Sequence, residues 1–494
     1  MARSRLVFIL AVFLSGYLAL AVWFAADDLL SRPHAVDFGA ALTALGTIVL
    51  LAIGAGVARA CRHFRAGTES TAVLAPVLGI GFALQLFWGG WVDPQPFAEF
   101  GTLWDQARRL ATSFDVDVLY STASPSAVGV YALGIAVFGE DLMALRIISA
   151  FLWTAQAFLV WKIATRVREL RDSALVAALC LAFSPAVIVF SSLPSAEAVF
   201  GVFALTAVYL LLSHRRRGLY VSAALAGLAA ALAFLCKPVA LAYFIGVLIV
   251  LGVAVGRAAA LGPRLRLAGG VLACLAGFAV GVAPQALLNH AKEGQFSIAP
   301  APAIGYQLLL GTNRDSGGAY SVKDLEQAGY IGPDQTTLLE ADRRAREIAW
   351  SRVSSDPGGF IVFAFTEKMR RLWSSEVGLL DWSVGSSPRG ETEPMTTVTR
   401  WGGVVIDAAY LAILIAAMAG VVRLAAGGGA VHDPARWLLV LGVLTMLALA
   451  HFMLEVRPRY HLAFTPMLAL LVPLGLSIPL RRPRLTQRSA PEDG

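Results

Sequence analysis

Residues 219–256 read LYVSAALAGLAAALAFLCKPVALAYFIGVLIVLGVAVG, two apolar runs interrupted by a single charge at Lys237-Pro238. A helix crossing a hydrocarbon core about 30 Å thick needs about 20 predominantly apolar residues, and each run comes close to that. Working outward, stretches of the same kind lie near 6–25, 39–58, 72–91, 141–163, 173–191, 196–213, 267–287, 401–424, 436–453 and 460–480, which makes twelve expected spans. The first is longer than the apolar region of a secretory signal and is read as a retained anchor. Over all 494 residues 57% are hydrophobic and 15% charged, with mean hydropathy +0.68. A soluble chain carries about 25% charged residues, and a disordered one lacks this much apolar surface. The expected fold is therefore an all-α polytopic membrane protein, with residues 1–480 as one integral domain and 481–494 as a polar tail.

Lys and Arg set the orientation. With Arg3 and Arg5 inside, the short inner connections hold Arg59, Arg62 and Arg65, then Arg215, Arg216 and Arg217, then Arg257, Arg264 and Arg266, and the tail holds Arg481, Arg482, Arg484 and Arg488. The short outer connections hold only Arg32, Lys237, Arg457 and Arg459. Both termini are thus expected in the cytoplasm, and the net charge of +7 reflects this bias rather than nucleic-acid binding. Two large loops, about 92–140 and 288–400, face outward and are where chemistry is expected. The second should contain a solvated helix over Thr337–Val353 and, at Phe360–Trp373, a stretch able to lie on the membrane surface. Cys61, Cys180, Cys236 and Cys274 lack metal-ligand spacing, so neither a disulfide framework nor a zinc site is expected.

Charges at membrane depth are expensive and are candidates for function. Asp93 and Glu99 open the first outer loop, where an acid can act as a general base; Asp105, Asp115 and Asp117 read as solvated. Glu197 stands where an outer turn re-enters the membrane, and the helix dipole alone would also account for it. Lys237 suits anion binding, or simply snorkels to the interface. Arg457 and Arg459 can grip phosphate oxygens, whether of a substrate or of an ordinary lipid headgroup. There is no P-loop, no Gly-x-Ser-x-Gly and no His-Glu-x-x-His. An outward-facing enzyme without a nucleotide motif needs a donor that arrives through the membrane, and a lipid phosphate meets that need.

Several short motifs follow one another in a recognisable order: Pro96-Phe-Ala-Glu-Phe100 with Trp104 and Ala107, Pro125-Ser-Ala-Val-Gly-Val-Tyr131, Phe138-Gly139, Ala144-Leu145-Arg146, Ser195-Ala-Glu197, Lys237-Pro238, Pro284 to Asn289, Gly311-Thr-Asn-Arg-Asp-Ser-Gly317, Asp356-Pro357 with Lys368, and Arg459-Tyr460 before Pro466. From about residue 85 to 470 the chain resembles the GT-C membrane glycosyltransferases, in the bacterial branch related to protein O-mannosyltransferases and lipid A aminoarabinose transferases. The resemblance implies a polyprenyl-phosphate sugar donor, transfer to a lipid, glycan or protein hydroxyl, and a place in the plasma (bacterial inner) membrane. It implies Glu99 as base, where the family usually has Asp, with Asp93 as the alternative. It implies Lys237, Arg457 and Arg459 at the donor phosphate, and Glu197, Asn313, Tyr460 and His461 as further site residues. The cations neutralise the leaving phosphate, so no metal is required; Asp93 and Glu99 leave Mg²⁺ or Mn²⁺ open as hard-oxygen ligands. A transporter or lipid flippase, and a relative without activity, are the alternatives. The first has no support from an internal repeat.

Overall fold

The computed structural model describes residues 2–31, 39–63, 71–213, 218–258, 260–300, 304–390, 392–427 and 431–476, all helix, turn or loop with no strand among them. The tail after 480 and the Arg215–Arg217 connection lie outside the described residues. Eight helices are long and apolar enough to cross a membrane: Arg5–Ser31, Ala40–Cys61, Thr71–Val92, Leu142–Arg166, Ala196–Ser213, Leu261–Glu293, Glu393–Ala426 and Pro434–Met453. Three more expected spans coincide with shorter apolar helices, Leu219–Phe234, Ala240–Gly256 and Thr465–Gly475. The first two have 16 and 17 residues, or about 25 Å at 1.5 Å per residue. They are short because the chain turns at Lys237-Pro238, where the amides of Cys236 and Lys237 both donate back to the Ala233 carbonyl.

The stretch 173–191 departs from expectation. It is two helices, Ala174–Ala182 and Pro185–Phe190, with the Ser184 hydroxyl accepting from the Val187 amide at the new start. Pro185 has no N–H to continue the first helix. Leu181, Ala182, Ser184 and Ala186 around the break are buried, so protein packing covers most of the interrupted backbone.

The bundle closes through small residues. Leu219–Phe234 and Leu261–Glu293 cross so tightly that a Cβ on Gly227 would lie 1.9 Å from the Cys274 carbonyl oxygen, and one on Gly277 would lie 1.9 Å from that of Ala224. Close backbone approach of this kind is how helices associate where apolar burial gives no advantage. Gly277→Val should destabilise the protein by about 1–3 kcal/mol. Thermal unfolding in detergent checks this, and an unchanged midpoint would mean that the helices part without cost.

The segments expected as outer loops are themselves helical. The first holds Ala98–Ser113, Val118–Ser121 and the apolar Pro125–Phe138, a helix where the sequence predicts loop. Ala98–Ser113 packs on Pro125–Phe138, buries Phe100, Leu103, Trp104 and Ala107, and carries Glu99, Arg108 and Arg109 in ion pairs. The second has its own small core of Leu309, Leu310, Leu325, Ala328, Tyr330, Ala341 and Ala345. Its charged helix runs Leu338–Ser355, capped by Thr337 and ended at Asp356. Phe360–Trp373 is helical with a π turn at Ala364–Lys368. Ile361 and Val362 are exposed there while Phe360, Phe363, Met369 and Leu372 are buried. The wide turn carries Lys368 inward, where Nζ donates to the carbonyls of Gly311 (2.7 Å), Phe452 (2.7 Å) and Leu454 (2.8 Å). This ammonium binds the outer segment to the turn that follows Pro434–Met453.

Candidate active site

Four separate pieces of chain converge. Glu99 lies in the first turn of Ala98–Ser113, and Glu197 in the first turn of Ala196–Ser213. Lys237 comes from the turn before Ala240–Gly256, and Glu455, Arg457 and Arg459 from the turn after Pro434–Met453. The approach to Glu99 is bent twice, with Asp93 at φ +60° and Ala98 at φ +44°, both in the left-handed region. The bend is anchored by the Gln95 amide donating to Ser386 O (3.2 Å) and by Arg389 donating to Trp91 O (2.6 Å).

The cations and carboxylates interlock. Arg459 contacts Glu99, and its Nε lies 3.3 Å from Glu197, near enough for an ion pair but not directed as a hydrogen bond. Lys237 donates to Glu197 at 2.8 Å. Arg457 donates to Glu455 at 2.8 Å and stands 3.6 Å from Glu99. The Tyr460 hydroxyl donates to Glu455 at 3.0 Å, and the Lys237 ammonium sits 4.3 Å from the centre of the Tyr460 ring. Arg459 is further framed by Phe100 at 5.1 Å and Trp382 at 5.4 Å, ring faces that favour a cation.

Three carboxylates balance three cations, but they are not alike. The side chains of Glu197 and Glu455 are 4% and 1% exposed, whereas that of Glu99 is 46% exposed. Burial works against charge on Glu99, yet the guanidiniums of Arg459 and Arg457 outweigh it and hold the carboxyl below its ordinary value.

All six groups line one cavity of about 450 Å³, together with Tyr460 and the uncharged Thr102, Gln106, Ser124, Tyr306, Gln307 and Tyr320. Three residues singled out in the sequence are not among its walls. Asp93 forms an ion pair with the buried Arg146 and holds the bend in place. Asn313 is consumed within its own turn: Oδ1 accepts from the amides of Asp315 (2.9 Å) and Ser316 (3.3 Å), and Nδ2 donates to Asp324 (2.9 Å). His461 lies 2.9 Å from Glu376 and 2.9 Å from the Leu372 carbonyl, and faces a separate cavity of about 180 Å³ across Arg459.

Sequence reasoning overlooked Glu455, although it stands two residues before Arg457 and is an acid in a turn at the membrane edge. It also overlooked Gln106, Tyr306, Gln307 and Tyr320, which carry no signal a single sequence exposes.

Residues 124–282, less than half of the chain, match the profile of the family described as dolichyl-phosphate-mannose-protein mannosyltransferase. That segment contributes Glu197 and Lys237 to the cavity. Among solved structures the chain is similar to ArnT from Cupriavidus metallidurans, crystallised with undecaprenyl phosphate, at 15% identity over 82% of this chain and 77% of that one, with a TM-score of 0.40. No curated protein matches the chain.

Proposed function

We propose that the protein is a membrane glycosyltransferase that moves a sugar from a polyprenyl-phosphate donor to an acceptor hydroxyl, at the face bearing residues 92–140 and 288–400. The observation that carries this reading is the asymmetry of the three carboxylates. Glu197 and Glu455 are buried and committed to their cations, while Glu99 presents an accessible oxygen to the same cavity. The family profile over 124–282 supports the class of reaction. The Lys and Arg bias supports a plasma-membrane orientation with both termini cytoplasmic.

The proposed step is a single displacement. Lys237, Arg457 and Arg459 bind the donor phosphate. Glu99 takes the acceptor proton as the acceptor oxygen bonds to the anomeric carbon. The bond from that carbon to the phosphate oxygen breaks, the electron pair leaves with the phosphate, and the anomeric configuration inverts. The leaving group gains negative charge where the cations already stand, which is where fixed charge lowers a barrier. The phosphate competes with Glu99 for Arg459, so a loaded donor leaves Glu99 freer to accept a proton.

The test is to offer labelled polyprenyl-phosphate sugars to membranes containing the protein and follow the label. Transfer to an acceptor with release of polyprenyl phosphate is expected; no transfer from any of them ends the proposal. Within that assay Lys237→Ala should raise the apparent donor KM. A charge-assisted hydrogen bond is worth about 1.5–3 kcal/mol, which is roughly a tenfold to hundredfold change. The acceptor KM should not move. An unchanged donor KM would remove Lys237 from the donor site.

A further inference from the structure

A second cavity of about 250 Å³ opens in the outer segment, lined by Asn313, Asp315, Ser316, Lys323, Gln327 and Tyr320 among others. Tyr320 is also a wall of the main cavity, so one ring is shared by the two spaces. Its face is turned toward Arg457, whose guanidinium lies 5.9 Å from the ring centre. The ring therefore stands beside the cation that lies 3.6 Å from Glu99. Among the described residues its hydroxyl has no hydrogen-bond partner, and neither does that of Tyr306 nor the amide of Gln106. The main cavity thus holds unspent, uncharged hydrogen-bonding groups, the Tyr306 ring, which no cation engages, and the Tyr320 ring, which has one face toward Arg457.

We propose that the second cavity, together with Tyr320, forms the outer part of an acceptor subsite for a carbohydrate chain, so that the hydroxyl brought to Glu99 belongs to a sugar. This rests on the glycosyl-transfer reading and adds the class of acceptor. A sugar ring offers an apolar C–H face for Tyr320 and hydroxyls for the unspent donors and acceptors. A second ring would occupy the outer cavity, whose wall adds Lys323 and Gln327 to the already hydrogen-bonded Asn313 and Ser316. The other acceptor classes fit less well. An extended peptide is commonly held by pairing with an exposed strand edge, and no strand exists among the described residues. A lipid acceptor would need an apolar approach, whereas the outer cavity is walled by polar and charged residues.

The experiment uses the full-length protein in its membranes with labelled undecaprenyl-phosphate hexoses and pentoses, followed by chemical identification of the labelled product. Label joined to a sugar hydroxyl of a glycan is the expected result. Label on a Ser or Thr side chain, or on a lipid headgroup, overturns the proposal while leaving glycosyl transfer intact. No transfer at all would overturn the underlying reading as well. The acceptor recovered from those membranes then serves in a two-substrate assay. Tyr320→Ala should raise acceptor KM about tenfold through lost ring contact, with donor KM unchanged, and Tyr320→Phe should restore most of it. An acceptor KM unmoved by Tyr320→Ala overturns the location. So does an equal rise in both constants without rescue by Tyr320→Phe.

Discussion

Glu99→Gln is expected to lower the transfer rate constant by about a hundredfold to ten-thousandfold, the usual contribution of a positioned general base. The amide has nearly the shape of the carboxylate but cannot take the acceptor proton. Because Glu99 is half-exposed and Glu197 still faces Arg459, the variant should fold and insert, with only a modest loss of thermal stability from the missing ion pair. Donor binding should hold or tighten, since Arg459 and Arg457 lose an anionic competitor. The loss therefore belongs in kcat rather than in donor KM. The pH profile adds an independent check. The neighbouring guanidiniums hold the Glu99 carboxyl below its ordinary value. A base acts when deprotonated, so kcat/KM of the parent should persist down to pH values below about 4.3, the ordinary Glu pKa, and fall only as pH drops through the depressed one. Glu99→Gln should lack that limb. Near-normal turnover in purified Glu99→Gln would show that another group accepts the proton.

Arg459→Ala should have the largest effect on stability. Arg459 is buried between Glu99 and Glu197 and framed by Phe100 and Trp382. Removing one partner of a buried charge pair costs about 3–5 kcal/mol, because the charge left behind is neither solvated nor matched. Lys237 still faces Glu197, which places the expected loss toward the lower end of that range. Activity should fall as well, since the phosphate loses a cation. Arg459→Lys keeps the charge but not the planar fork and should fall between the two. The mechanism can be separated from general damage with the pair Arg459→Ala and Glu197→Gln. If an unmatched carboxylate causes the loss, the double variant should regain part of the stability lost by the single one. Thermal unfolding in detergent reads this directly, and simple additivity of the two losses would argue that the two side chains do not sense each other.

The long apolar runs were legible because lipid imposes a demand on composition that few other environments share. The stretch 173–191 misled for the same reason: composition announces burial but not whether lipid or protein provides it, and Pro185 is tolerated where protein does. Pro125–Phe138 was hidden by its length of 14 residues, too short to be read as a span. Lys237, Arg457, Arg459 and Glu99 were legible as charges at the edges of apolar runs. The same reasoning raised Asp93 and His461, whose partners Arg146 and Glu376 lie far away in sequence and become visible only in the fold. Tyr306, Gln307 and Tyr320 are ordinary residues of a polar segment, and only their shared wall marks them. Lys368 looked like one charge among several until the π turn aimed it at three carbonyls.

The wide separation of these groups along the chain has a consequence for biosynthesis. Glu197 enters the bilayer first and meets Lys237 after only 40 more residues, so its earliest counter-charge arrives while the ribosome is still at work. Arg459 is translated about 220 residues after Lys237. Until then Glu99 waits without its guanidinium and the pocket has no floor. A nascent polypeptide released before Arg459 would therefore carry Glu99 and Glu197 with only Lys237 to balance them.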